Sequence, residues 1–273
     1  MELCLITDQT DFAQEAEKAG VERIMIDLEK NGKAQRQKGR GLFMSKHSID
    51  SVIGIKAALK KSSLVVRVNA LTEVSGEEIE AVLDSGADHI MLPYWHTVDE
   101  VRKFLALVRG RTRTILLVET KAAVEILPEV IKERGFDEVH IGLNDLSISM
   151  GHKVIFESLC SGMIDSLSTL IRNKGIPFGF GGIARLSGDG LRLPVNPERI
   201  LGEQVRLGVS VGWLGRSFRG DMEYKSRKGE LGDEIRRLRD SIYKWESSPE
   251  EAFVDNRKAL MEEVTAWKAS LKP

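Results

Sequence analysis

The sequence predicts a (β/α)8 TIM barrel, an α/β fold, followed by a C-terminal helical extension. Eight short apolar runs recur along residues 1–220, and amphipathic segments with helical spacing separate them. Such alternation is typical of β-α units that feed a parallel sheet, and eight units fit a closed barrel better than an open doubly wound sheet. A Rossmann-type sheet is the alternative, but the turn TDQTDF after the first run lacks the glycines that such a sheet requires.

The eight predicted strands are short, and several end at polar side chains. In chain order they are LCLIT (3–7), RIMIDL (23–28), LVVRVN (64–69), HIMLP (89–93), TILLVE (114–119), EVHIGL (138–143), PFGFGG (177–182) and VSVGWLG (209–215). Several intervening segments end in Gly, which commonly closes a helix, and Asn196-Pro197-Glu198 is a favourable helix start. We therefore assign residues 1–220 to one barrel domain.

Residues 221–273 form the predicted extension, which is charged and contains no strand-like run. Its two amphipathic stripes comprise Leu231, Ile235, Leu238, Ile242 and Trp245, and then Phe253, Leu260, Val264, Trp267 and Leu271. Apolar stripes that carry two tryptophans must be buried, either on the chain's own barrel or against another subunit. We expect a subunit contact, and therefore a homo-oligomer.

The composition excludes several classes of partner. The 40 Lys and Arg residues nearly balance the 41 Asp and Glu residues, so the chain lacks the basic footprint of nucleic-acid binding. Neither the two cysteines nor the five histidines show the spacing of a zinc site, and we interpret the histidines as structural. No apolar stretch is long enough for a membrane span. We expect a cytoplasmic protein that binds neither nucleic acid nor a membrane.

The carboxyl ends of the predicted strands carry a concentration of ionisable side chains, and active sites of (β/α)8 barrels lie at this end. Glu119 and Asp145 follow adjacent strands, and two such carboxylates suit Mg²⁺, which uses few protein ligands and keeps several waters. Arg67, Asp27 and Glu29 lie at neighbouring strand ends. Alternatively, Asp145 simply caps the helix that follows it.

Five successive blocks of the sequence resemble those of the HpcH/HpaI aldolase and citrate lyase family. They are AGVERIMIDLEKNGK, VVRVNAL, VLDSGADHIMLPYWHTVDEVRK, ILLVETKAAVE and VHIGLNDLSISMG, in order from about residue 15 to residue 151. The resemblance implies a class II pyruvate-aldolase-like enzyme, a carbon–carbon lyase that uses Mg²⁺ or Mn²⁺. It would act on an α-keto acid such as pyruvate or oxaloacetate through a pyruvate-type enolate, with an aldehyde or a CoA ester as the second substrate.

The resemblance also implies roles for individual residues. Glu119 and Asp145 correspond to the family's metal ligands, and Arg67 corresponds to the arginine that faces the keto or enolate oxygen. The turn of Leu143, Asn144 and Asp145 resembles the family's binding site for the substrate carboxylate. Family members commonly assemble through exchanged C-terminal helices, which agrees with the two stripes of the extension.

Departures from the family pattern leave the general base open. Lys30 stands where the pyruvate aldolases carry a histidine base, while Asp84 matches the acid that pairs with that histidine. The candidates for the base are Lys30, Asp27 and Glu29, and the latter two are also candidates for substrate binding. Two other functions stay open: an acyl-CoA lyase of the citrate or malyl type, and a metal-binding but non-catalytic member that acts in assembly or ligand sensing.

Overall fold

Eight parallel strands close into a barrel in sequential order, in a computed structural model that describes residues 1–30, 47–133, 135–188, 193–220 and 229–271. The strands are β1 (Glu2–Ile6), β2 (Arg23–Asp27), β3 (Ser63–Arg67), β4 (His89–Leu92), β5 (Arg113–Val118), β6 (Glu138–Ile141), β7 (Phe178–Ile183) and β8 (Val211–Leu214). Closure comes from the pairing of β1 with β8 as well as with β2. The predicted (β/α)8 fold is confirmed, and each observed strand overlaps a predicted one.

Helices follow the strands and cover the outside of the barrel. They are α1 (Thr10–Lys18), α2 (Ile49–Ala58), α3 (Ser75–Asp84), α4 (Val98–Val108), α5 (Lys121–Val130), α6 (Leu143–Ser149), α7 (Glu157–Cys160), α8 (Met163–Arg172), α9 (Pro197–Leu207), α10 (Arg216–Arg219), α11 (Glu230–Glu246) and α12 (Glu250–Ser270). The local sequence determines where several of these helices begin. Thr97 and Glu100 form a reciprocal capping box on α4, and Asn196 accepts from the Glu198 N–H at the start of α9.

The alternation of side chains along each strand divides the core into two layers. Residues that include Met25, Val65 and Leu117 pack together inside the barrel, whereas the other face of each strand packs against the helices. Asp27 lies two residues beyond Met25, and Arg67 lies two residues beyond Val65. The period of two therefore carries both charged side chains to the interior at the carboxyl end of the barrel.

The opposite end of the barrel interior holds a charged network. The Arg23 guanidinium donates to Glu2 at 2.6 Å and to Glu138 at 2.7 Å, and both Arg23 and Glu138 are buried. His89 is also buried nearby, and neither of its ring nitrogens has a hydrogen-bond partner among the described residues. This end of the interior is thus occupied by paired charge, and the pocket described below lies at the other end.

The two C-terminal helices α11 and α12 pack on the chain's own barrel, against α1, α7 and α9. Leu238 of α11 and Leu260 of α12 are buried in the main core, and Arg239 donates to the Met1 carbonyl at 2.8 Å. The chain's own barrel therefore buries most of both stripes, although Leu271 remains exposed at the end of the second. The expected subunit contact and the domain boundary at residue 220 stay predictions. Among the described helices, none combines the length and apolar character of a membrane span.

Candidate active site

A pocket of about 230 Å³ lies at the carboxyl ends of the strands, where the sequence predicts the site. Residues from β2, β3, β5 and the β6–α6 turn line it together, although they are far apart in the chain. The predicted site residues in its wall are Asp27, Arg67, Glu119, Leu143, Asn144 and Asp145.

Three buried carboxylates form a cluster at this pocket. One oxygen from each of Glu29, Glu119 and Asp145 lies within 4.8 Å of the other two. At that separation, two ionised carboxylates repel by about 3 kcal/mol at an effective dielectric constant of about 20. A divalent cation removes this repulsion, and carboxylate oxygens are the donors that Mg²⁺ and Mn²⁺ prefer. The donor set therefore fits such an ion, and Glu29 joins the pair predicted from the sequence.

Arg67 is the fixed positive charge beside this cluster. Its Nε and Nη2 donate to the two oxygens of Asp27 at 2.9 and 2.7 Å, and its Nη1 lies 3.5 Å from Glu29 Oε2. Burial by itself would lower the pKa of Arg67, but the charges of Asp27 and Glu29 raise it above its usual value. The guanidinium therefore stays protonated, and the two-point contact with Asp27 fixes its plane.

Backbone conformation at two neighbouring strand ends positions Glu119. The Tyr94 N–H donates to Glu119 Oε1 at 3.0 Å, and Tyr94 has a φ of 51°, which is uncommon for a residue other than glycine. On the other side, a Cβ at Gly142 would lie only 2.7 Å from Glu119 Cβ and Oε2. The left-handed turn at Tyr94 and the missing side chain at Gly142 thus allow both strand ends to approach the carboxylate closely.

The β6–α6 turn differs in detail from its prediction. Strand β6 ends at Ile141, and α6 begins at Leu143, with Gly142 in the N-cap position. Asp145 is therefore the third residue of the helix and not its N-cap. Its Oδ1 accepts from Asn144 Nδ2 at 3.1 Å, and it belongs to the carboxylate cluster. The first-turn N–H groups of Leu143 and Asn144 have no carbonyl partner within the helix.

Two predicted catalytic residues lie apart from this cluster. Asp84 is the exposed last residue of α3, and its charge acts on Arg111, which precedes β5. Because α3 runs back along the barrel, Asp84 lies at the amino-terminal end of the strands, and a single chain does not bring it to the site. Lys30 is exposed and is the last residue of the described segment 1–30. Its backbone N–H donates to Asn69 Oδ1 at 2.8 Å.

Three ionisable residues that line the pocket were not selected from the sequence. They are His47, Arg216 and Arg219. His47 Nδ1 accepts the Asp27 N–H at 2.9 Å, and its Nε2 lies 3.8 Å from Asp8 Oδ1, so the neutral ring carries its proton on Nε2. The interpretation of every histidine as structural is therefore incomplete. Both arginines lie within five residues of the end of β8, so inspection of that strand end would have found them.

Comparison with known proteins agrees with this architecture. A family model described as HpcH/HpaI aldolase/citrate lyase matches residues 3–158. The crystal structure of an HpcH/HpaI aldolase from Desulfitobacterium hafniense DCB-2 shares 14% identity at a TM-score of 0.60, and the alignment covers 91% of this chain and 94% of that one. RipC from Yersinia pestis shares 16% identity at a TM-score of 0.57, with 87% and 94% covered.

A third solved structure, an HpcH/HpaI aldolase/citrate lyase family protein from Burkholderia cenocepacia J2315, shares 16% identity at a TM-score of 0.59, with 90% and 95% covered. No protein of curated function matches the sequence. At these identities the structural similarities establish the fold alone. The family match spans more than half of the sequence, and it includes Arg67, Glu119 and Asp145. The chain therefore belongs to the HpcH/HpaI aldolase/citrate lyase family.

Proposed function

We propose that this protein is a divalent-metal-dependent carbon–carbon lyase or aldolase that acts on an α-keto acid through a pyruvate-type enolate. The observation that carries the proposal is the position of the Arg67 guanidinium beside the buried cluster of Glu29, Glu119 and Asp145. Membership of an aldolase and citrate lyase family supports the same class of reaction. The ligand would be a small keto acid of the pyruvate or oxaloacetate type.

Glu119 and Asp145 would hold Mg²⁺ or Mn²⁺, with Glu29 beside them. When bound, such an ion supplies Lewis-acid stabilisation to the oxygens of an α-keto acid. The charges of the cluster support this assignment, because the three buried carboxylates of Glu29, Glu119 and Asp145 lie within 4.8 Å of one another and repel when ionised. A divalent cation would bring this cluster closer to neutrality before an anionic substrate arrives.

Arg67 would stabilise the oxyanion that develops during reaction. Cleavage of a carbon–carbon bond next to a ketone leaves an enolate, and fixed positive charge at the enolate oxygen lowers the barrier. Asp27 holds Nε and Nη2 of the guanidinium, so Nη1 is the nitrogen that lies toward Glu29 and the carboxylate cluster. Asp27 would therefore act by orienting Arg67.

The β6–α6 turn would bind the carboxylate of the substrate. The N–H groups of Leu143 and Asn144 lie in the first turn of α6, where backbone donors lack intrahelical acceptors and favour an anion. Leu117 and Trp213 line the same pocket and would limit the access of water to the enolate. The candidates for the general base are Lys30, Asp27 and Glu29.

Oxaloacetate decarboxylation tests this proposal, because it generates the pyruvate enolate without knowledge of the natural second substrate. Rates are compared for the wild type, Glu119→Gln, and the matched control Glu125→Gln on the exposed face of α5, each with Mg²⁺ or Mn²⁺ and after subtraction of a metal-only blank. We expect metal-dependent activity in the wild type and control, and a loss of about a hundredfold or more in Glu119→Gln.

Two results would contradict the proposal. Activity that is independent of metal, or that survives in Glu119→Gln, would exclude the carboxylate cluster as the reaction centre. Absence of activity despite measurable Mn²⁺ binding would instead favour an acyl-CoA lyase or a non-catalytic role in ligand sensing.

A further inference from the structure

A stacked pair of rings, Trp213 of β8 and His140 of β6, lies inside the barrel at the edge of the pocket. The ring centroids are 3.9 Å apart, and the ring planes differ by 18°. Trp213 is partly exposed and lines the pocket, whereas His140 is fully buried and is not among the lining residues. The imidazole therefore covers one face of the indole from behind, and the exposed part of Trp213 belongs to the pocket wall.

The neighbouring strand β7 makes room for this pair. A Cβ at Gly179 would lie 2.7 Å from His140 Cε1, so any side chain at that position would displace the imidazole. A Cβ at Gly181 would lie 3.6 Å from Trp213 Cβ, and Gly181 itself lines the pocket. The two glycines therefore leave the space that the imidazole occupies and the space beside the indole.

His140 acts on Trp213 as a packing surface and not as an acid or a base. Burial lowers the pKa of the His140 ring below its usual value, so the ring is neutral at neutral pH. Its Nδ1 lies 3.9 Å from Glu138 Oε1, too far for a hydrogen bond, and neither ring nitrogen has a hydrogen-bond partner in the described ranges. Burial of a polar ring without such partners costs stability, so folding alone does not account for a histidine here. The ring provides a flat surface that fixes the orientation of the indole.

The pocket wall around Trp213 faces the end of an α-keto acid that the proposed function leaves without a contact. The carboxylate and the keto oxygen are assigned to the β6–α6 turn, Arg67 and the carboxylate cluster. Carbon 3, the carbon next to the keto group, is apolar. Ile6, Leu117 and Trp213 bring apolar side chains from the barrel interior to the pocket, so carbon 3 would lie against them. Because His140 supports the indole from behind, this part of the wall does not move aside for a larger group.

We propose that Trp213, held in one orientation by His140, is the specificity-determining residue that excludes a branch at carbon 3 of the keto acid. Carbon 3 of a cleavable substrate carries one carbon group, the part that leaves, and this group points toward the opening of the pocket. Trp213 leaves room for hydrogen but not for a methyl group at the other positions of carbon 3. The inference rests on the proposed function and names its substrate class, a keto acid with a CH₂ group at carbon 3. His140 is a positioning residue, because it acts only through Trp213.

Two isomeric keto acids test this selectivity without requiring turnover. The straight 2-oxopentanoate and the branched 3-methyl-2-oxobutanoate contain the same atoms and differ only in the branch at carbon 3. Their affinities are measured by calorimetry with saturating Mg²⁺. We expect the wild type to bind the straight isomer roughly tenfold or more tightly, which is the discrimination that an apolar wall gives against one misplaced methyl group. Trp213→Leu should bind the two isomers with nearly equal affinity, because both bury the same number of apolar carbons once the space is open.

Further variants separate a specific role from a general loss of structure. Trp213→Phe keeps a smaller stacked ring and should retain part of the preference, so it decides the question if Trp213→Leu does not fold. His140→Phe keeps an aromatic surface behind the indole and should retain the preference, whereas His140→Ala should lower it. Tyr243→Leu is the matched control, because Tyr243 is exposed on α11, and its preference should equal that of the wild type.

The role of Trp213 is overturned if the wild type binds both isomers equally, or if the full preference survives in folded Trp213→Leu or Trp213→Phe. It is also overturned if His140→Ala keeps the full preference, since the indole would then need no support. Failure of the proposed function gives another result, because then no keto acid, pyruvate included, binds in a metal-dependent manner, and both proposals fall.

Discussion

Gly142→Ala tests how strictly the candidate metal site depends on the end of β6. An added Cβ would lie 2.7 Å from Glu119 Cβ and Oε2, about 0.7 Å closer than the shortest ordinary contact of 3.4 Å. The Glu119 backbone follows directly on β5, which is paired on both sides, so the carboxylate is the part that can move. Metal sites tolerate deviations of only about 0.2 Å in ligand distance. The displacement therefore exceeds what the site can absorb.

We expect Gly142→Ala to weaken Mn²⁺ binding by about 10- to 100-fold, measured by calorimetric titration. Thermal unfolding of the same samples checks that the variant is folded, since overpacking of this kind costs about 1–3 kcal/mol. Gly54→Ala in α2 is the control, because a Cβ there meets no atom within 4 Å, and its Mn²⁺ affinity should equal that of the wild type. A folded Gly142→Ala variant with wild-type affinity would refute the reasoning.

Three further predictions concern charge. Arg67→Lys should slow oxaloacetate decarboxylation by about a hundredfold, because an ammonium cannot reproduce the planar fork; a wild-type rate would show that Arg67 faces no developing charge. Lys30→Met should keep the rate of pyruvate methyl-proton exchange within severalfold, because the side chain is exposed; a far larger loss with intact Mn²⁺ and pyruvate binding would make Lys30 the base that removes the proton. Burial lowers the pKa of His89 from 6.5 to about 4. As the pH drops, the unfolded chain therefore binds a proton at this histidine before the folded chain does. The free energy of unfolding should consequently fall as pH drops from about 6.5 to about 4. In urea titrations His89→Gln should reduce that fall by up to about 3 kcal/mol, and an unchanged fall in this variant would contradict the assignment.

The strands were predictable because their apolar runs match buried, parallel strands and are separated by helical patterns. At β6 the prediction differs in the type of element, because it extends the strand through Gly142 and Leu143, which belong to the start of α6. Apolar character alone does not separate the last residue of a buried strand from the first turn of a buried helix.

Candidate site residues were predictable where they end a strand, as Asp27, Arg67 and Glu119 do, because the strand itself fixes their position. Glu29 lies beyond β2, and the course of the chain after the strand brings it to the carboxylate cluster. His47 lines the pocket and accepts a hydrogen bond from the N–H of Asp27, 20 residues earlier, and no sequence spacing signals such a contact. Asp84 was predicted as a site residue but lies at the other end of the barrel. A match to a family position in the sequence does not reveal at which end of the barrel a helix terminus lies.

Exchange of the pyruvate methyl protons with solvent deuterium, followed by proton NMR with and without Mg²⁺, tests the central claim most directly. Enolate formation is the step assigned to Arg67 and the carboxylate cluster, and the exchange reports it without a second substrate. We predict Mg²⁺-dependent exchange in the wild type and in Glu125→Gln, and its loss in Glu119→Gln. Binding of Mg²⁺ and pyruvate by the wild type without exchange above the blank would contradict the account.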